Sequence, residues 1–311
     1  MNAFVAVTDN DWFESLSQLD SVDEVNFWQP SPGGGFRALT VGEPFLFKLH
    51  SPHDYVVGGG FFSHWTRLPV SLAWDTFGNK NGATSLTEMR ARIERYRRIK
   101  LNPQEEYEIG CILLLAPFFF ARQDWLPVPD WHSNIVRGRG YDLTTEPGRT
   151  LWREVEARLQ MRNYVYEGVG EGVAENPPRY GDPIFVSPRL GQGTFRIIVT
   201  DAYGRRCAVT NEKVLPVLTA AHIRPFAVGG EHRVDNGLLL RSDFHILLDR
   251  GYVTVTPESY ELKVSRYLRT DFDNGHEYFA WHGRPIRLPE NRKYLPGRDF
   301  LVWHNEHCFR T

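Results

Sequence analysis

Between Arg189 and Val255 the chain places His222, Asn236, His245 and Asp249 within 28 residues, a spacing that brings together acid–base and cation-binding side chains. An imidazole is neutral near pH 7, so it can accept a proton or donate a lone pair to a metal. His245 stands four residues ahead of Asp249, and on a helix residues at that spacing share a face and can point at one cation. Asn236 falls between the two histidines, with an amide that both donates and accepts hydrogen bonds.

These residues need elements to hold them. Gln192 to Tyr203 reads as a helix, CAVTN (207–211) and VLTAAHI (217–223) as two strands, and LLLRSDFHILLD (238–249) as a helix after a Gly-Gly turn. The order strand, strand, helix puts His222 at a strand end, Asn236 just ahead of the helix and His245 inside it, one turn before Asp249. From Arg189 to Gly251 there are nine Lys and Arg against six Asp and Glu, a local basic excess that suits a phosphate-facing site.

The segments AAHIRP, DNGLLL and SDFHILLD resemble the HNH nuclease family and its ββα-metal fold. The resemblance implies metal-dependent hydrolysis of a DNA phosphodiester. His222 would be the general base on the attacking water, Asn236 would brace the intervening loop, and His245 would bind a divalent cation, magnesium or manganese. Asp249 is either a second ligand or a helix-terminal partner for Arg250. Arg189, Arg196, Arg224 and Arg241 are candidate DNA contacts, Arg224 being equally able to pair with an acid. Many family members carry an acidic metal ligand immediately before the first histidine; here Ala221 occupies that place, with Thr219 shortly before it. Family members also often hold a structural zinc through paired CxxC motifs, but Cys207 is followed by Thr210 where a second cysteine would stand, so no zinc is expected.

Upstream, FVAVT reads as a strand and Asp9 or Asn10 as a cap on the helix that follows. FRAL, PFLFKLH and YVVGGGFFSHW read as further strands, punctuated by PSPGGG, GEP and SPHD turns. Ser85 with Glu88 forms a capping box for a helix rich in basic residues, Arg90 to Lys100, that either tracks a nucleic-acid backbone or is a solvated face. CILLLAPFFF is a buried strand, and 147–162 is a helix with Leu151, Val155 and Leu159 on one side. This text resembles the PUA-like superfamily of small barrels, which includes the EVE and SRA readers of modified bases. Joined to an HNH module it resembles modification-dependent (type IV) restriction endonucleases, in which an extruded base is stacked and read in a barrel pocket. Trp28 with Gln29 and Trp74 with Asp75 are the aromatic and polar neighbours that stand out as pocket candidates.

Composition sets the outer bounds. At 311 residues, 41% hydrophobic and 14% aromatic, the chain can bury a large core, which excludes disorder and a small stapled fold. A net charge of -2 excludes a simple basic coat for nucleic acid, so any DNA contact is local. Three cysteines cannot make a disulfide framework, and the longest apolar run is about half the ~20 residues of a membrane helix. The expectation is a cytoplasmic α+β protein with no membrane segment: a PUA-like β-barrel domain with helices at 1–140, a helix and linker at 141–185, and a ββα-metal domain at 186–311. Its expected partner is double-stranded DNA carrying modified cytosine, cut by a homodimer. The alternative is a DNA- or RNA-binding protein with a degenerate HNH domain.

Overall fold

The structure, a computed structural model, describes residues 1–100, 102, 104–132, 134–167 and 190–311. By its contacts the chain divides into two units, Met1–Arg189 and Leu190–Thr311. It is mixed α and β throughout.

In the first unit β1 (Asn2–Thr8) runs into α1 (Asn10–Ser17), whose first turn is closed by the Asp9 carboxylate accepting from the Trp12 amide at 2.9 Å. There follow β2 (Glu24–Gln29), β3 (Pro44–Leu49), β4 (Tyr55–Pro69), α2 (Val70–Phe77), α3 (Leu86–Arg97), β5 (Glu108–Phe119), β6 (Leu126–Pro127), β7 (Gly138–Asp142) and α4 (Gly148–Glu167). The strands form one sheet in the order β2-β5-β4-β3-β1-β7, with β6 paired to β4. β1 lies parallel to β3, with Phe4 opposite Phe45, and antiparallel to β7. Among the described residues β2 and β7 do not pair with each other, so the anticipated barrel is not closed by strand pairing.

FRAL is also not a strand. It follows Gly33 and Gly35, both at positive φ, and Phe36 is half-buried, edge-on to Phe4 at 5.2 Å. Ser85 caps α3, but the Glu88 carboxylate reaches Thr84 and Arg92 rather than returning to Ser85. The arginines of α3 are engaged within their own unit: Arg95 pairs with Asp9 and Asp11, Arg92 is buried against the Gly82 carbonyl, and Arg97 donates to the carbonyls of Pro30 and Glu108. Leu151 and Val155 of α4 join Ala3, Val5, Leu46 and Val56 in one apolar cluster. The helix continues to Glu167, into the stretch expected as linker, and 168–185 of that linker, with the first residues of the expected second domain to 189, lies outside the described residues.

In the second unit α5 (Gln192–Ala202) precedes the hairpin of β8 (Leu218–His222) and β9 (Gly237–Arg241), and α6 (Ser242–Asp249) follows β9 directly. β10 (Val253–Val255) and β11 (Leu262–Val264) form a second hairpin, after which come α7 (Tyr267–Phe272), α8 (His276–Phe279) and α9 (Arg298–His307). The order strand, strand, helix holds, but with a different first pair. CAVTN is a tight turn, closed by Asn211 N–H donating to the Cys207 carbonyl at 3.0 Å with Asn211 in the left-handed region. LLLR is strand rather than helix: Leu238, Leu239 and Leu240 are all buried, and a short apolar run of that kind fits either element until a partner strand decides it. Among the described residues no helix is long and apolar enough to cross a membrane.

Candidate active site

The hairpin register explains how distant residues meet. His222 pairs with Gly237, so Asn236, one residue earlier, sits beside the strand end that carries His222. α6 starts at the far end of β9 and packs back on both strands, which brings His245 over Thr219 of β8.

The His222 ring lies flat on Phe195 of α5, with centroids 4.1 Å apart and 12° between planes. Its Nε2 is 3.0 Å from Nδ1 of His232, whose own ring stacks on Phe226 at 4.6 Å. Burial pushes the His222 imidazole down to about 4, and positive charge on His232 or His245 would push it the same way. It is therefore neutral at pH 7, the form that can accept a proton. His232 was not singled out from the sequence, although its place between the Gly-Gly turn and Asn236 was the available signal.

Asn236 is fully buried, and its amide is satisfied from both sides. Its oxygen accepts from the Arg224 N–H at 2.9 Å, and its nitrogen donates to the carbonyls of Arg224 and Glu231, each at 3.0 Å. Its own carbonyl accepts from the Ile223 N–H at 2.9 Å. One side chain thus ties both ends of the loop that carries His232.

His245 and Asp249 converge, Nε2 to Oδ2 at 3.3 Å, on the partly open side of α6. The Thr219 hydroxyl bonds Nδ1 of His245 at 2.8 Å, which fixes the ring and leaves Nε2 directed at the carboxylate. Where family members place an acid before the first histidine, Ala221 is buried and offers no donor. One imidazole and one carboxylate suit a hard divalent ion that keeps several oxygen ligands from water or phosphate, so the donor set fits magnesium or manganese. Among the described residues no group of three or more His, Cys, Asp or Glu is placed to hold one metal ion. Cys207 is buried and its sulfur accepts from the amides of Thr210 and Arg241.

The candidate DNA-contact arginines differ in what holds them. Arg241 makes a two-pronged pair with Asp243, both contacts at 2.7 Å, which lowers the Asp243 carboxyl below its usual range. Arg224 donates to the Val228 carbonyl and lies over the Trp303 ring, 5.2 Å from its centre. Both are tied into the fold. Arg196 is half-buried on α5, next to Phe195, and Arg189 lies outside the described residues. In the first unit Trp28 is core: it is 7% exposed and its indole N–H donates to the Asn81 carbonyl at 2.9 Å. Gln29 accepts from the Trp65 indole at 3.4 Å; Trp74 is half-buried on α2, with Asp75 exposed beside it. A cavity of about 510 Å³ opens elsewhere in that unit, lined by Phe13, Phe119 and Trp125 with Asp20 and Arg122.

The β8–β9 hairpin followed directly by α6 defines a ββα arrangement. Residues 207–256 match the HNH_2 family, described as HNH endonuclease. Two solved structures of mutant ZmASCH from Zymomonas mobilis are similar at 10% identity and a TM-score of 0.23, over 38% of this chain and 73% and 75% of theirs. A solved structure titled modification-dependent TagI restriction endonuclease is similar at 14% identity and a TM-score of 0.27, over 85% of this chain and 60% of that one. No curated protein sequence matches the chain.

Proposed function

We propose that the second unit is a metal-dependent endonuclease that hydrolyses DNA phosphodiesters. The observation that carries this reading is that one hairpin and its helix carry both a neutral imidazole, His222, and the His245–Asp249 pair. His245 and Asp249 would hold the cation, which when bound neutralises phosphate charge and stabilises the departing 3′ oxygen. His222 takes the proton from water as the water oxygen bonds phosphorus and the bond to the 3′ oxygen breaks. Phe195 supports the flat face of the imidazole, Asn236 holds the backbone that positions His222, and Thr219, by accepting from Nδ1–H of His245, would leave Nε2 open to a metal.

For the first unit the reading is recognition of DNA carrying modified cytosine. The aromatic-lined cavity with Asp20 and Arg122 supports it, because an extruded base needs a stacking wall and polar groups for its edge. Two strands and one site per chain are met by a pair of copies acting together. The test is cleavage of plasmids with unmodified, methylated, hydroxymethylated or glucosylated cytosine in magnesium or manganese. Expected is metal-dependent cutting of modified plasmid that is lost in His222→Ala and His245→Ala. Cutting that survives both substitutions refutes the catalytic assignment, and equal cutting of all plasmids refutes the recognition assignment alone.

A further inference from the structure

The His222 imidazole has two nitrogens, and the structure commits one of them. Nε2 is bonded to Nδ1 of His232 at 3.0 Å, while Nδ1 of His222 has no hydrogen-bond partner among the described residues. Only one proton can sit between the two rings. If His232 donates it, His222 must carry its other proton on Nδ1 and has no lone pair for water. If His222 donates it, Nδ1 of His222 is free to act as the base.

From this geometry we infer that His232 is a positioning residue for the proposed hydrolysis, accepting from Nε2–H of His222 so that Nδ1 of His222 faces the attacking water. The inference rests on the nuclease reading above. When water attacks phosphorus, its proton moves to Nδ1 of His222, and the resulting imidazolium keeps a charge-assisted hydrogen bond to Nδ1 of His232. His232 thereby does for His222 what a carboxylate does in other catalytic pairs, with no negative charge placed beside a phosphate. The surroundings hold it to that task. Its ring stacks within 9° of the Phe226 ring plane and lies 5.7 Å from Phe195, the ring that also supports His222. The loop that carries it is closed by Asn236 through the carbonyl of Glu231, its immediate neighbour.

Two measurements on the full chain test this. Long-range proton–nitrogen spectra of the imidazoles at neutral pH should show His222 protonated on Nε2 only; protonation on Nδ1 overturns the inference whatever the protein cleaves. In plasmid cleavage, His232→Phe keeps the stack on Phe226 but removes the acceptor, and it should lower kcat by ~10- to 100-fold with KM within about twofold. His232→Asn returns an acceptor near the Nδ1 position and should recover most of that loss, with both variants melting close to wild type. Phe and Asn variants equally impaired, or a Phe variant within about threefold of wild type, overturns the positioning role. A wild-type protein that cuts no DNA defeats the nuclease reading itself, and the role drawn from it, while the spectra still report the tautomer.

Discussion

His222 gives the site its pH behaviour. Its imidazole is pushed to about 4 in the folded chain from an ordinary value of 6.5. Between those values the unfolded chain binds more protons than the folded one, so stability rises with pH across the window and falls as the solution is acidified. The expected loss from pH 6.5 to 4 is on the order of 1–3 kcal/mol from this residue. His304, buried and also lowered, adds in the same direction. Melting temperature followed across that range should fall less steeply in His222→Phe than in wild type; parallel curves would contradict the burial argument. Thr219 is the second residue with a sharp consequence. Thr219→Val removes the hydroxyl on Nδ1 of His245, and the manganese concentration needed for half-maximal cleavage should rise ~10- to 100-fold, as for other outer-shell partners of metal ligands.

The elements show why some of the site was legible in the sequence and some was not. α5, β8 and α6 followed from their patterns, and the i, i+4 spacing of His245 and Asp249 placed both on one helix face, as found. The second strand was misplaced because three consecutive leucines carry no periodicity; only the register with β8 shows that they are sheet. The roles of His232 and Phe195 are not legible in the sequence for a related reason. Their roles come from a loop and a helix that meet His222 only in three dimensions. Arg224 and Arg241, candidate phosphate contacts by type, also bond within the fold, Arg224 to the Val228 carbonyl and Arg241 to Asp243. The loop between β8 and β9 has one main fastening, and Asn236→Ala should therefore be costly. It strips partners from the Arg224 amide and from two carbonyls, a loss of about 2–4 kcal/mol that thermal or urea unfolding would register. Hydrogen exchange should quicken at Arg224 first.

At the scale of the whole chain, the matched segment 207–256 is smaller than what folds. Its core partners include Phe195, Val199 and Tyr203 before it and Leu262, Val264, Leu268, Ile286 and Leu301 after it. His304 of α9 reaches the Leu248 carbonyl at 3.1 Å and Thr254 at 2.8 Å, fastening the end of α6 from outside that segment. Residues 190–311 expressed alone should give a cooperative unfolding transition and cleave modified and unmodified plasmid alike, whereas 207–256 alone should show none. A fragment 190–311 that still discriminates between the plasmids would move recognition out of the first unit.

Gly237 faces His222 across the hairpin, and a methyl group there would stand 2.5 Å from Val199 and 3.1 Å from the Phe195 ring. The glycine is thus a spacer gauge for the slab on which the imidazole rests. Gly237→Ala would leave every ionisable and hydrogen-bonding atom of the site in place and still tilt the base by displacing what lies beneath it. In the proposed hydrolysis turnover should fall while metal affinity stays unchanged, so the seat of the His222 ring is set from behind by a residue that has no side chain to contribute.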